Sequence, residues 1–247
     1  MKKYMLAFAT AVSFWQIICW LQLINPMFLP TPYETFKEII YLVCKDIILL
    51  DAAYSLKRVL TGGAVSFLIG VPAGLLLGYY ENLYNYVECL IDFFRSIPPI
   101  IVFPLALLIF GIGEVSRIIV IVFGCATIMM LHSAVGVRNS PKMRVSIAKM
   151  MGAKWHQVFS RVIIFDALPQ IFIGTRVSLS LGVIIEVVTE MLAGAKHGLG
   201  SRAVYAQIAY NTPELYATII FVGLIGFFIN KGLILLEDRV IYWRKGI

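Results

Sequence analysis

Charged residues are scarce in this chain of 247 residues. Asp, Glu, Lys and Arg together make up only 14% of it, whereas 60% of the residues are hydrophobic. Four stretches contain none of these charged residues: 4–24, 59–80, 96–113 and 118–137. Each is close to the roughly 20 apolar residues that a helix needs to cross the hydrocarbon core of a bilayer. The composition therefore argues against an ordinary soluble domain and predicts a membrane protein.

The chain also lacks the residue patterns of several kinds of chemical site. Its four cysteines have no Cys-x-x-Cys spacing, so they predict neither a metal site nor a disulfide framework. His132, His156 and His197 are isolated, and there is no His-Glu-x-x-His motif. The chain has no P-loop motif for ATP and no nucleophile paired with a base. We therefore expect no catalytic residue, no bound metal and no cofactor held by this chain.

Two further apolar stretches carry internal charges and bring the predicted number of membrane-spanning helices to six. The predicted spans are 4–24, 58–80, 96–113, 117–137, 170–192 and 215–236, all within one domain covering residues 1–247. The predicted fold class is an all-α polytopic membrane protein. The start of the chain could also be a signal peptide, but its apolar run is longer than the roughly 7 to 15 residues of such a segment. We interpret it as a retained first helix.

The distribution of positive charge predicts the orientation. The formal net charge is +7, and in a multi-span protein such an excess marks cytoplasmic loops rather than nucleic-acid binding. The segment 138–169 contains six basic residues and one acidic residue, and the tail adds Arg239, Arg244 and Lys245. Both termini and segment 138–169 are therefore predicted to be cytoplasmic.

Glycine and proline predict how the helices pack. Gly70, Gly74 and Gly78 are spaced four apart in the second span, which favours close packing of helix backbones over the alternative of a pore lining. Pro98 and Pro99 in the third apolar block predict a bent helix, because proline removes a backbone donor. Residues 33–60 have a helical pattern with interleaved charges, which predicts an external helical stretch against the bundle.

The polar stretch SIAKMMGAKWHQVFSRVIIFDALP, residues 146–169, is unusual in so apolar a chain. Ile147, Met151, Trp155, Val158 and Val162 form one stripe of a helix, and Gly152 interrupts it after about two turns. We therefore predict a short helix, a turn and a second helix. From the residues alone, the stretch could lie on lipid headgroups, serve as a connection, or dock into a groove on a soluble partner.

This stretch resembles the EAA loop of ABC importer permeases, with Ala148 and Gly152 at the Ala and Gly positions of the motif. It departs from that motif at Ser146 and Ile147, which replace Glu-Ala, and at Phe165, where Pro is usual. RSIPPIIVFPLALLIFGIGE and DALPQIFIGTRVSLSLGVIIEVVTEMLAGAKHGLGSRAVYA are similar to segments of the permeases of nitrate, sulfonate, taurine and bicarbonate importers. The resemblance covers nearly the whole chain, in order.

The resemblance implies a type I importer permease fold in a bacterial inner membrane. It implies a second permease subunit as a homodimer partner, two cytoplasmic ATPase subunits that bind ATP and Mg, an external solute-binding protein, and a small anion or a vitamin precursor as substrate. The 146–169 loop would be the coupling helix docked on the ATPase. The implied coupling residues are Ser146, Ala148, Met150, Met151, Gly152, Ala153 and Lys154.

Charged residues within spans are costly and usually face a cavity or a partner. Glu186 and Glu190 are four apart on one helix face, so one is expected to be protonated or paired, and Glu190 is either structural or part of the translocation path. With the signature residues Arg95, Pro98 and Pro99, they are the candidates for that path. Arg176 is expected to extend to the membrane interface. A secondary transporter or channel is the alternative function; a membrane-embedded enzyme lacks a catalytic set.

Overall fold

The computed structural model describes residues 2–242, and for residues 2–5, 7 and 8 it describes only the backbone. Arg244 and Lys245 of the predicted cytoplasmic tail lie outside the described residues. Across the described range, all regular secondary structure is helical. The predicted all-α fold class is confirmed.

Most of the helices follow one another along the chain with short connections, and the link between the first two is longer. In order they are α1 Lys2–Trp20, α2 Pro32–Cys44, α3 Ile47–Tyr79, α4 Glu81–Ser96, a 3₁₀ turn Pro99–Val102, α5 Phe103–Phe110, α6 Glu114–Arg138, α7 Lys142–Met150, α8 Trp155–Val158, a π turn Phe159–Ile163, α9 Ile164–Ala193, α10 Leu199–Ile208 and α11 Thr212–Val240.

Four helical stretches within residues 2–242 are long and apolar enough to cross a membrane. They are α3, α6, the continuous run Trp155–Ala193 and α11. The helices Glu81–Ser96 and Pro99–Phe110 make a fifth span if this pair, bent by 84°, counts as one. The described apolar part of α1, Ala9–Trp20, is shorter than a span. Six spans and two cytoplasmic termini therefore remain predictions.

Three helix boundaries differ from those expected. The second spanning helix already starts at Ile47, after Asp46 adopts a φ of 57°, so much of the expected external stretch belongs to α3. The third apolar block breaks at Ile97, because the prolines at 98 and 99 cannot donate the backbone hydrogen bonds that a continuous helix needs. The polar segment 138–169 resumes helical structure at Trp155 and runs on into the next span.

The described residues form two compact units, whose boundaries fall within α3, α9 and α11. The first unit comprises the residues up to Ser55 and Glu190–Ile225. Its core is formed by the buried side chains of Leu42, Ile48, Leu199 and Ala217. These residues come from α2, α3, α10 and α11, so the apolar faces of four helices meet in this unit.

The second unit comprises Leu56–Thr189 and the residues from Gly226 onward. Within it α6 packs closely on α3: a Cβ atom added to Gly74 would lie 2.1 Å from the backbone oxygen of Met130. Cβ atoms added to Gly70 and Gly78 would lie 2.5 and 2.7 Å from backbone oxygens of α6. The glycine stripe therefore serves close helix packing, as predicted, and a larger side chain would force the two helices apart.

Candidate functional site

The predicted coupling segment is a helix that ends in a glycine turn. After α7 the chain turns at Gly152, whose φ is +81°. The Gly152 amide donates to the Lys149 carbonyl at 3.0 Å, and the Ala153 amide donates to the Ala148 carbonyl at 3.1 Å. This pair of bonds is a Schellman motif, which requires a left-handed residue and so favours glycine. The predicted order of helix, turn and second helix is confirmed.

The coupling segment carries large exposed apolar side chains. Met143, Met150, Met151 and Trp155 are between 60% and 82% exposed. Beside them lies a groove of about 450 Å³, lined by Ala148, Met151, Gly152, Ala153, Gln157, Val158, Arg161 and Val162. Four of the seven predicted coupling residues thus share one groove. Ser146, Met150 and Lys154 are exposed outside its lining.

Aromatic side chains join the coupling segment to the end of a spanning helix. The ring of Tyr79, the last residue of α3, lies 6.2 Å from the Trp155 ring and 5.4 Å from the Phe159 ring, centre to centre. These distances are typical of favourable aromatic pairs. An ion pair between Arg144 and Asp166 links α7 to the start of α9. These contacts link α8 and the π turn to α3, and α7 to α9.

A charge cluster around the buried side chain of Arg58 connects three helices of the second unit. Arg58 of α3 is 3% exposed and donates twice to the Glu114 carboxylate, at 2.6 and 2.7 Å. A third nitrogen of Arg58 lies 3.3 Å from a Glu186 oxygen, and Glu186 is fully buried. Glu186 therefore has the charged partner that its position demands. Arg58 was not among the predicted site residues. Its position as the first residue of the predicted span 58–80 was the feature of the sequence that could have identified it.

Glu190 forms hydrogen bonds at the start of α10, in the first unit. Its carboxylate accepts bonds from the Ser55 hydroxyl and the Gly200 amide, both at 2.7 Å. The Leu199 amide donates to the Ser55 hydroxyl at 3.1 Å, and the Gly198 amide donates to Asp51 at 3.1 Å. Three consecutive amides at the start of α10 are thus satisfied by side chains, as capping requires.

The family follows from comparison of the chain with known proteins. A family model for the inner membrane component of binding-protein-dependent transport systems matches residues 70–241. The chain belongs to this family. It is accordingly a multi-pass inner-membrane permease of an ABC importer, a transport component rather than an enzyme. Membership implies an ATPase and a solute-binding protein as partners.

Two relatives and one solved structure show how far the similarity of this permease extends. The taurine transport system permease protein TauC of Escherichia coli is 30% identical over 95% of this chain and 87% of its own length. The putative aliphatic sulfonates transport permease protein SsuC of Bacillus subtilis is 30% identical over 98% and 88%. The inward-facing MetNI methionine ABC transporter contains a chain that is 23% identical, with a TM-score of 0.68 over 79% of this chain and 95% of that one. That last match supports the fold.

The residues predicted for the translocation path of this permease lie on α4, at the proline break and on α9. Arg95 is exposed on α4, where it forms an ion pair with Asp92 of the same helix at 3.1 Å. Pro98 and Pro99 break the third apolar block. Glu186 and Glu190 are fully buried and bonded inside their respective units. Within residues 2–242, no group of three or more His, Cys, Asp or Glu side chains could hold a metal ion.

Proposed function

We propose that this permease couples to its ATPase through α7 and the turn at Gly152, and that it forms the solute path as a homodimer. The observation that carries the proposal is the groove lined by Ala148 and Gly152 beside exposed methionines. Large exposed apolar side chains next to a groove mark a surface for a partner protein. Small residues at the groove allow close approach of the partner's backbone.

The proposed mechanism is a change of population between two states. ATP and Mg are bound by the two ATPase subunits, whose closure moves the docked coupling segments of both permeases. The aromatic contacts of Trp155 and Phe159 with Tyr79 pass this movement to α3, and the Arg144–Asp166 ion pair passes it to α9. Nucleotide then favours the state whose docking geometry fits closed ATPases. The external solute-binding protein delivers solute to that state.

The proposed orientation places α7 and both termini in the cytoplasm, with residues 1–247 as one permease domain. The proposed solute is a small anion, and the names of the two relatives favour a sulfonate such as taurine. Nitrate, bicarbonate or a vitamin precursor would be the alternatives. Thermal-shift titration of the cognate binding protein with taurine, methanesulfonate and nitrate would identify the class.

The docking proposal is tested by recruitment of the ATPase. A Gly152→Leu variant should lose copurification with the ATPase subunits, because a side chain at φ +81° strains the turn and closes the groove. Gly111→Leu is the matched control, since Gly111 also has a positive φ, 76°, and open space around its Cβ position. The control should bind ATPase normally. Normal recruitment by the Gly152 variant, with normal solute-stimulated ATP hydrolysis, would refute docking at this turn.

A further inference from the structure

A second groove of the molecule, between α9 and α11, has a chemistry that the coupling segment does not explain. It measures about 450 Å³ and is lined by Ile173, Arg176, Val177, Ser180, Gly226, Phe227 and Asn230. All of these residues belong to the second unit. A Cβ atom added to Gly226 would meet no atom within 4 Å, so the groove is open at its α11 wall. It is therefore an open surface groove with a helix on each of two sides.

The groove contains one cationic side chain, Arg176, whose side chain is 28% exposed. One of its terminal nitrogens lies 3.6 Å from a Glu237 oxygen, which is an ion-pair distance but longer than a hydrogen bond. A guanidinium has five N–H donors in a planar fork, which suits an oxyanion with two or three equivalent oxygens. The contact with Glu237 thus involves one terminal nitrogen of Arg176, whose side chain lines the groove.

Polar side chains continue along the groove from Arg176. Ser180 is exposed one turn further along α9, and its hydroxyl donates to the Arg176 carbonyl at 3.0 Å. Asn230 is exposed on the facing helix, two turns before Glu237. Both helices are long and apolar enough to span a membrane, and polar groups in such helices face water, a partner or a transported solute rather than lipid. The groove therefore combines three polar side chains with apolar ones from the same two helices.

We propose that Arg176, with Asn230 on the facing helix, forms an anion-binding station of the translocation path in the groove between α9 and α11, and that Ser180 lies at the edge of this station. The inference rests on the proposed transport of a small anion and names the residues that would contact it. The station differs from the path candidates Glu186 and Glu190 because its side chains line an open groove, whereas those two side chains are fully buried. Its ligand class is a small sulfonate or oxyanion.

The test is a charge-selective labelling experiment on the permease–ATPase complex in phosphatidylcholine vesicles. Ser180→Cys is introduced after Cys19, Cys44 and Cys89 are replaced by serine; Cys125 is buried and stays. The thiol is labelled with anionic sulfonatoethyl methanethiosulfonate and with its cationic trimethylammonium analogue. A cleft with a positive charge raises the local concentration of anions about tenfold or more. We expect the sulfonate reagent to react about tenfold faster relative to the cationic one than it does with free cysteine.

Three substitutions decide whether Arg176 causes this preference. Arg176→Gln should abolish it, Arg176→Lys should retain most of it, and Glu237→Gln should increase it by removing the opposing charge. Lys231→Gln is the matched control, because Lys231 is an exposed cation of α11 outside the groove lining and should not matter. A thiol unreactive to both reagents, a preference that survives Arg176→Gln, or a preference weakened by Glu237→Gln would each overturn the proposal.

Two further measurements separate this site from its alternatives. In one outcome, the preference of the thiol for the anionic reagent depends on Arg176 only after phosphatidylglycerol is added to the vesicles. That result would mean that the groove binds a lipid headgroup, and it would refute the solute station. The proposed coupling is read separately, by recruitment of the ATPase, which Arg176→Gln should leave unchanged. Uptake per ATP hydrolysed should fall about tenfold in Arg176→Gln, the effect of losing one charge-assisted hydrogen bond to the solute, and stay normal in Lys231→Gln.

Discussion

The cap that Glu190 provides for α10 can be tested by removing its oxygens one at a time. The Glu190 carboxylate is fully buried and accepts two hydrogen bonds of 2.7 Å, from Ser55 and Gly200. Glutamine has nearly the same volume but only one oxygen, so one bond to a charged acceptor is lost. Such a bond contributes about 1.5–3 kcal/mol. Alanine loses both bonds, so its cost is about 3–6 kcal/mol by the same values.

The expected effect is local opening of α10. Because about 1.4 kcal/mol corresponds to a tenfold change in an opening equilibrium, the amides of α10 should exchange with deuterium roughly tenfold to a hundredfold faster in Glu190→Gln, and faster still in Glu190→Ala. Exchange is measured by mass spectrometry on the purified complex. Glu88→Gln is the control, because Glu88 is exposed on α4 and lies outside the first unit. Unchanged exchange of α10 in the alanine variant would refute the capping role.

Three further predictions concern stability. Gly74→Leu should sharply lower the midpoint temperature of thermal aggregation, since its Cβ would lie 2.1 Å from a backbone oxygen of α6. The control Gly223→Leu should not lower it, because a Cβ at Gly223 meets no atom within 4 Å. Equal midpoints in the two variants would contradict close packing at Gly74. Arg58→Met should lower the free energy of unfolding by about 3–5 kcal/mol, because it leaves the buried Glu186 carboxylate without its guanidinium partner. Adding Glu186→Met should restore part of this free energy in denaturant unfolding, and no recovery would argue against the ion pair. Burial and a neighbouring carboxylate raise the pKa of Glu38 above its ordinary value. The contribution of Glu38 to the free energy of unfolding is therefore present below the unfolded-state pKa and is lost as the pH rises through the raised pKa. Glu38→Gln should remove this part of the pH dependence of stability, and an unaltered pH profile would contradict the prediction.

Local patterns in the sequence were sufficient where neighbouring residues decide the structure. The turn at Gly152 needs only a left-handed residue after a short amphipathic helix, and both are visible in the sequence. The glycine stripe of α3 was predictable because spacing by four places small residues on one helix face. The break at Pro98 and Pro99 follows from the missing backbone donors.

The two buried polar clusters could not be read from local patterns. The bonds of Glu190 to Ser55 and of Arg58 to Glu186 join residues that are 135 and 128 positions apart. Glu186 and Glu190 are one helical turn apart, and the packing of the helices decides which partner each carboxylate binds. Arg176 shows the same limit, because its partner Glu237 lies on another helix. The expectation that Arg176 simply extends to the membrane interface left out both this ion pair and the groove.

The π turn at Phe159–Ile163 sets the phase between two parts of one continuous helical run. The buried positions Val158 and Ile163 are five residues apart, whereas the next ones, Ala167 and Ile171, follow at intervals of four. A π turn holds one residue more than an α turn, and an α-helix rotates about 100° per residue. The π turn therefore fixes the rotation of one end of the run relative to the other. Deleting one residue within it would rotate one end by about 100°, so the buried faces of both ends could no longer keep their contacts at once.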